Sequence, residues 1–336
     1  MAGWGVPDWF EDLPQDAADY VRDVPLADYT TIKVGGSAEV FADVKGWDGL
    51  AELVRWCFGN KVPLTLIGKG SNMVIADGGV AGVVAHLGKG FDAVRVEGDT
   101  VYAEAGAACG TAARAAREAE LEGLAFFGGI PGSVGGALKM NAGAYKGETF
   151  ADLKRLWIID CMGETKELAP EEVQPRYRGT TLPEGAVYKA GLWRLRRGDK
   201  EAIRGQMQAI NRARSSTQPL HLPSSGSWFK NVIVDAGNVE ALRAAGLEAE
   251  VGGVVNAWRV VDAAGCRGWR ENGAQVSEQH CNFFVNIGLK EGQPATCADL
   301  DALSLRVEAA VREKLGIGMV REVRFIGTRN QGPGTR

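Results

Sequence analysis

Two glycine-rich segments and a few isolated polar side chains are the positions whose types and spacing could do chemistry. In Gly68-Lys69-Gly70-Ser71-Asn72, backbone N–H groups can approach a phosphate without a Cβ in the way, and Ser71 and Asn72 add side-chain hydrogen bonds. It is not the dinucleotide fingerprint, because G-x-G-x-x-G would need glycine at Met73, and the Lys-Ser/Thr pair of a P-loop is missing. Alone, it is an ordinary tight turn. The second segment, residues 127–143, concentrates Gly, one Pro and small polar residues, and ordering such a stretch costs entropy that packing does not easily repay. Together the two favour an anionic ligand such as a pyrophosphate over the alternative, a sharp chain crossing between two cores.

The other polar groups are individually ambiguous. Tyr177-Arg178 reads as a surface pair, and Ser227 in Ser225-Gly-Ser-Trp-Phe-Lys-Asn231 could be a nucleophile, an acid or a cap. A nucleophile elbow is not formed, since Phe229 stands where the closing glycine of G-x-S-x-G belongs, which disfavours a serine hydrolase. Glu322 falls in a final strand, Met319–Ile326, on the face opposite Val323 and Phe325, and there reads as a solvent-facing charge.

The elements that must position these groups alternate in type. Residues 1–30 are acidic and weakly periodic, a partly ordered lead-in. A helical stripe over 51–58 precedes a strand over 62–67 that ends at the first glycine loop. Residues 93–105 form a hairpin around Glu97-Gly-Asp-Thr100, and 111–121 an Ala-rich helix. Strands and turns fill 154–197, a basic-sided helix covers 202–213, and the loop-rich run 215–226 marks a boundary. Leu300, Leu303, Val307, Ala310 and Val311 give a last helical stripe before Gly316. Strands mixed with helices, without a regular βαβ rhythm, argue for an α+β fold.

The length of 336 residues suits two or three domains, and glycine, at 46 residues or about 14%, is roughly twice its average usage. A net charge of −4 supplies no field to attract nucleic acid or an anionic membrane. Six cysteines without C-x-x-C spacing and three histidines give no zinc framework and fit reduced thiols. No positive-start signal peptide and no apolar run of about 18 residues is present, so a soluble, cytoplasmic protein is expected.

Taken in order, the segments resemble the UDP-N-acetylenolpyruvoylglucosamine reductase (UDP-N-acetylmuramate dehydrogenase) family over residues 25 to 327. The resemblance rests on Thr30-Thr-Ile-Lys-Val-Gly-Gly36, Ile67-Gly-Lys-Gly-Ser-Asn72, Gly129-Ile-Pro-Gly-Ser-Val-Gly-Gly-Ala137, Met140-Asn-Ala-Gly-Ala-Tyr145, Tyr177-Arg178, Pro223-Ser-Ser-Gly-Ser-Trp-Phe-Lys-Asn231, Gly273-Ala-Gln-Val-Ser277, His280-Cys-Asn-Phe283 and Glu322-Val-Arg-Phe-Ile-Gly327. The short interval between Arg178 and Ser227 resembles the subtype that lacks an extra tyrosine-bearing loop.

The resemblance implies an α+β, vanillyl-alcohol-oxidase (PCMH) type FAD-binding fold and a separate α/β substrate-binding domain. The implied regions are 1–88, joined by strand 321–327, then 89–213 and 214–320, with a polar tail at 328–336. It implies non-covalent FAD held by Gly68, Lys69, Gly70, Ser71, Asn72, Ile130, Pro131, Gly132, Ser133, Gly135, Gly136, Asn141, Ala142 and Gly143. NADPH is the implied co-substrate, and no metal is expected. It assigns Arg178 and Glu322 to stabilising charge on the substrate carboxylate and Ser227 to proton donation. Tyr145, Lys230, Asn231, His280 and Arg324 are implied to bind the UDP-sugar, with no nucleic acid, no membrane insertion and no obligate protein partner. The implied activity is reduction of an enolpyruvyl ether for peptidoglycan, and the alternatives are a flavin oxidase of the same fold or a non-catalytic nucleotide-binding relative. Lys33, Val232 and Cys281 depart from the usual pattern, and Lys33 leaves one flavin contact open.

Overall fold

The computed structural model describes residues 4–327, so the expected polar tail at 328–336 lies outside the described residues. Two compact units form: residues 4–24, 38–69 and 81–214 make the first, and residues 25–37, 70–80 and 215–327 the second.

The first unit is built on two sheets. One has the order Ala18–Pro25, Ser37–Val44, Val80–His86, Leu64–Ile67, the last two parallel. The other runs Thr165–Leu168, Leu153–Ile159, Val187–Arg194, Thr100–Glu104, Val94–Glu97 with every neighbour antiparallel. Its last two strands are the expected hairpin, and Gly98 at φ 59° supplies the left-handed turn position. The helix Gly46–Gly59 buries Leu50, Leu53, Val54 and Cys57, a spacing that sets all four on one face. Trp193 and Phe127 anchor the core, and the Trp193 indole N–H donates to the Thr149 carbonyl at 2.8 Å, so the buried ring leaves no unpaired donor.

One expectation is corrected here. The acidic lead-in contains the strand Ala18–Pro25, and it escaped periodicity because, of its eight residues, only Ala18 is buried. An edge strand with a wet face has little apolar alternation to detect.

The second unit is an antiparallel sheet in the order Ser224–Ser227, Phe283–Asn286, Ala274–Val276, Arg270–Glu271, packed with the helix Cys297–Leu315. That helix starts at a capping box, with the Thr296 hydroxyl accepting from Asp299 N–H and the Asp299 carboxylate accepting from Thr296 N–H, and it ends at Gly316, φ 67°. Asp77 reinforces the start by accepting from the N–H groups of Cys297 and Ala298 at 2.7 and 2.9 Å. Leu300, Leu303, Val307, Ala310 and Val311 are all buried, as their stripe predicts. Each fully buried Leu or Val of this kind contributes about 1.5–3 kcal/mol. The final strand is shorter than expected. Only Arg324–Ile326 is strand, and it pairs in parallel with Met73–Ile75.

Candidate active site

In the first unit, the strand Leu64–Ile67 delivers Gly68 against the second glycine segment. A Cβ at Gly68 would lie 2.3 Å from the Ser133 hydroxyl oxygen, so only glycine lets the two loops meet at this spacing. Ser133 is buried and caps the short helix Val134–Met140, while Gly135 sits where a Cβ would be 2.8 Å from the Ala105 Cβ. Ile130, Pro131 and Gly132 lead into this cap, and Gly136 N–H donates to Ser133 Oγ at 3.4 Å. Asn141 ends the helix at φ 37°, buried, with its amide donating to the Arg176 carbonyl and its Oδ1 accepting from Phe150 N–H. Ala142 is tied down by its carbonyl, which accepts both the N–H and the hydroxyl of Thr149.

Arg178 lies on the other side of this segment in sequence yet contacts it directly. Its guanidinium donates to the Gly143 carbonyl at 3.0 Å and covers the Tyr177 ring at 4.9 Å. Tyr145 places its ring where a Cβ at Gly129 would be 3.0 Å away. Asn141, Tyr145 and Arg178 all hold positive φ, at 37°, 49° and 57°. Such backbone strain in non-glycine residues gathers where side-chain direction matters more than local comfort.

Two residues of this unit gave no signal in the sequence. Arg214 is half-buried and faces Tyr145; burial lowers its pKa against the pull of the phenol, and burial raises the Tyr145 phenol. His86 forms a hydrogen bond with the backbone of Gly68, and burial holds its imidazole below the usual histidine range, with Lys69 adding to the shift.

In the second unit the remaining members of the first loop meet the candidate catalytic residues. A Cβ at Gly226 would touch only the Ser71 carbonyl, at 3.6 Å, and Gly70 has φ 60° with the Tyr29 carbonyl closing the space a Cβ would need. Asn72 donates from its amide to the Glu322 carbonyl at 3.2 Å, and its own carbonyl accepts from Arg324 N–H at 2.9 Å. Ser227 ends the strand Ser224–Ser227 opposite Phe283. Glu322 N–H donates to the carbonyl of Trp228, the residue after Ser227, at 2.8 Å. The backbone of the carboxyl-bearing position is thus tied to the residue that follows the hydroxyl-bearing one.

This corrects the view of Glu322 as a solvent-facing strand residue. It is half-buried and lies in the segment that tracks Trp228–Lys230, where Phe229 bridges Arg321 and Lys230 N–H donates to the Val320 carbonyl. Asn282 fixes the same stretch. Its carbonyl accepts from Trp228 N–H, its Oδ1 from Phe229 N–H, and its amide donates to the Phe229 carbonyl, each at 2.7–2.8 Å. Trp228 and Phe229 are fully buried, so Ser227 and Lys230 flank a rigid apolar anchor.

Of the other expected contacts, Asn231 uses its Oδ1 to accept from Ala257 N–H at 3.0 Å, at the start of the helix Ala257–Ala263. His280 packs 4.8 Å from the Phe283 ring and 6.0 Å from that of Trp258, on the same helix, and burial lowers its pKa. Arg324 is exposed on its strand. The Ser225 hydroxyl, which drew no notice within the serine run, is buried and finds no partner among the described residues. Among them, too, there is no group of three His, Cys, Asp or Glu that could hold a metal, and no helix is long and apolar enough to cross a membrane.

The loops fit a flavin dinucleotide. In the first unit Gly68 stands where a Cβ would meet the Ser133 hydroxyl, and the N–H groups of Gly132 and Ser133 have no protein acceptor among the described residues, which suits pyrophosphate oxygens. Residues 38–169 match the family model described as FAD binding domain, and the α+β fold and glycine loops define an FAD-binding flavoprotein. Residues 218–326 match the model described as UDP-N-acetylenolpyruvoylglucosamine reductase, C-terminal domain. Relatives named UDP-N-acetylenolpyruvoylglucosamine reductase include one from Methylorubrum extorquens, 40% identical with 90% of each chain covered, and one from Parvibaculum lavamentivorans, 38% identical with 98% of each covered. The crystal structure of UDP-N-acetylenolpyruvylglucosamine reductase from Thermus caldophilus is 29% identical with a TM-score of 0.72, covering 92% of this chain and 98% of that one. The chain belongs to the UDP-N-acetylenolpyruvoylglucosamine reductase family.

Proposed function

We propose that this protein reduces the enolpyruvyl ether of UDP-N-acetylglucosamine to UDP-N-acetylmuramate, a peptidoglycan precursor, with NADPH as donor. The observation that carries this reading is the hydrogen bond from Glu322 N–H to the carbonyl of Trp228, the residue after Ser227, beside the Ser71–Asn72 end of the first glycine loop. The family relationship supports it.

Bound FAD supplies the hydride carrier between NADPH and the substrate. Gly68 to Asn72, Ile130 to Ser133, Gly135, Gly136 and Asn141 to Gly143 would hold it without a covalent bond. Hydride arriving at C3 of the ether drives negative charge into the substrate carboxylate. Arg178 meets that charge with a planar guanidinium already oriented by the Gly143 carbonyl and the Tyr177 ring, so little reorganisation is needed when the charge appears. Glu322, carrying a proton, would donate a hydrogen bond to the same carboxylate. Ser227 Oγ donates the proton to C2; a hydroxyl is a weak acid, but a carbon next to a doubly charged carboxylate is a strong base, and a positioned donor suffices. Tyr145, Lys230, Asn231, His280 and Arg324 bind the UDP-sugar, Asn231 through the amide N–H groups its Ala257 bond leaves available. The reaction takes place in the cytoplasm and calls on no protein partner, nucleic acid or membrane insertion.

Purified protein mixed with NADPH and the UDP-linked enolpyruvyl ether should consume NADPH beyond one equivalent of flavin only when the ether is present and yield a product heavier by two hydrogens. NADPH consumption driven by oxygen alone, with the ether recovered unchanged, would replace this reading with an oxidase.

A further inference from the structure

Four buried or half-buried polar side chains run from the residue after Ser227 to the residue before Glu322. The Trp228 indole N–H donates to Ser304 Oγ at 2.8 Å, and the Ser304 hydroxyl donates to Glu308 Oε1 at 2.8 Å. The same Glu308 oxygen accepts from Arg321 Nε at 2.6 Å, and Arg321 also pairs with Asp301. Trp228 and Ser304 are completely buried, and Arg321 lies over the Phe325 ring, 5.2 Å away, which in turn packs edge-on to Trp228. Ser304 sits on the core face of the helix Cys297–Leu315 among Leu300, Leu303 and Val307, where an alanine would pack as well. A hydroxyl in that place is accounted for by its two hydrogen bonds: it accepts one and donates the other, so its proton is not left unpaired in the low-dielectric core.

The chain of bonds has an orientation. The carboxylate of Glu308 is fixed by Arg321, it aligns the Ser304 hydroxyl, and the hydroxyl fixes the rotation of the Trp228 ring, already stacked 4.3 Å from Phe284. Backbone bonds then transmit both ends, since Trp228 carries the Ser227 main chain and Arg321 carries that of Glu322.

We propose that Ser304 and Glu308 are positioning residues for the second half of the reaction, holding Ser227 and Glu322 at the spacing that proton delivery to the substrate needs. This rests on the function proposed above. Displacements on the order of 1 Å can cost up to about 100-fold in rate, so the relay is expected to matter for kcat and not for binding.

The test uses the holoenzyme in anaerobic stopped flow. Flavin bleaching by NADPH should keep its wild-type rate in Ser304→Ala and Glu308→Gln, whereas recolouring by the enolpyruvyl ether should slow by roughly 10- to 100-fold. KM for the ether should stay within about twofold, and the solvent deuterium effect on recolouring should rise as proton delivery becomes limiting. Ser304→Thr, which keeps the hydroxyl, should recover most of the rate. Apart from activity, exchange of the Trp228 indole proton, followed by NMR, should speed up in Ser304→Ala. Recolouring at the wild-type rate in a folded Glu308→Gln protein would overturn the proposal, as would equal slowing of both halves in either variant. If Ser304→Ala fails to fold, the near-isosteric Glu308→Gln carries the same test. Failure of the wild type to recolour with the ether would instead refute the proposed function.

Discussion

The two units present candidate site residues in opposite ways. In the first, Gly68, Gly135 and Gly143 bring backbone close to backbone or side chain, and Asn141, Tyr145 and Arg178 hold positive φ. In the second, Ser227 ends a bulged strand, Glu322 N–H donates to the carbonyl of the next residue, Trp228, and Asn282 with the buried Trp228 and Phe229 locks that stretch. The difference follows from the task. A cofactor phosphate is met by main-chain N–H groups, so Cβ atoms must be absent and strain is tolerated. A proton donor is a side chain whose tip must not wander, so it is carried on rigid elements.

The strongest way to break this comparison is Ser227→Ala, which should lower turnover by about 10² to 10⁴, or roughly 3 to 5 kcal/mol of barrier, while leaving FAD content at the wild-type level. Unchanged turnover, or loss of FAD, would assign Ser227 to the loop's fold and not to proton transfer. Next comes Arg178→Ala, expected to lower kcat about 100-fold or more with flavin retained, lysine rescuing only partly because it lacks the planar fork. Native kcat in the alanine variant would remove Arg178 from the charge-stabilising set.

A glycine substitution tests the main-chain role itself, at the end of the first loop that falls in the second unit. Gly70→Ala puts a Cβ at φ 60° against the Tyr29 carbonyl, and the left-handed conformation alone costs about 1–2 kcal/mol. It should lower FAD retention on gel filtration and the melting temperature together. Gly205→Ala, exposed in the helix Lys200–Thr217 with nothing near its Cβ position, should instead stabilise by about 0.5–1 kcal/mol. If both variants retain FAD equally, the loop does not need its glycines for the cofactor.

The smallest effect expected is on pH dependence. His86 in the first unit and His280 in the second are both held below the ordinary 6.5 by burial. The unfolded chain therefore binds their protons first, so stability is full above that value and declines as pH falls toward the depressed native values. Urea unfolding from about pH 7.5 to about pH 5.5 should show a shallower decline in His280→Gln and His86→Gln than in the wild type. An unaltered slope in both would contradict the assignment.

Much of this was legible in the residues. Glycine density marked both loops, because dense glycine is expensive to order without a use, and the Leu300 to Val311 stripe marked the long helix. Individual polar residues were not, since a lone Ser or Glu has the same sequence signature in solvent and in a site. Glu322 looked exposed because strand alternation was extended back to Met319, whereas only Arg324–Ile326 is strand and Glu322 follows the Trp228 backbone. Arg214 and His86 acquire their settings from contacts distant in sequence, with Tyr145 and Gly68. Ser304 did leave a cue, a hydroxyl at a core position of an apolar stripe, which is meaningful only if a partner is buried with it.

The division of labour is tested most directly by anaerobic stopped flow on Ser227→Ala. Bleaching of the flavin by NADPH should match the wild type, and recolouring by the UDP-linked enolpyruvyl ether should slow at least about 100-fold. Recolouring at the wild-type rate, or equal slowing of both halves, would contradict it.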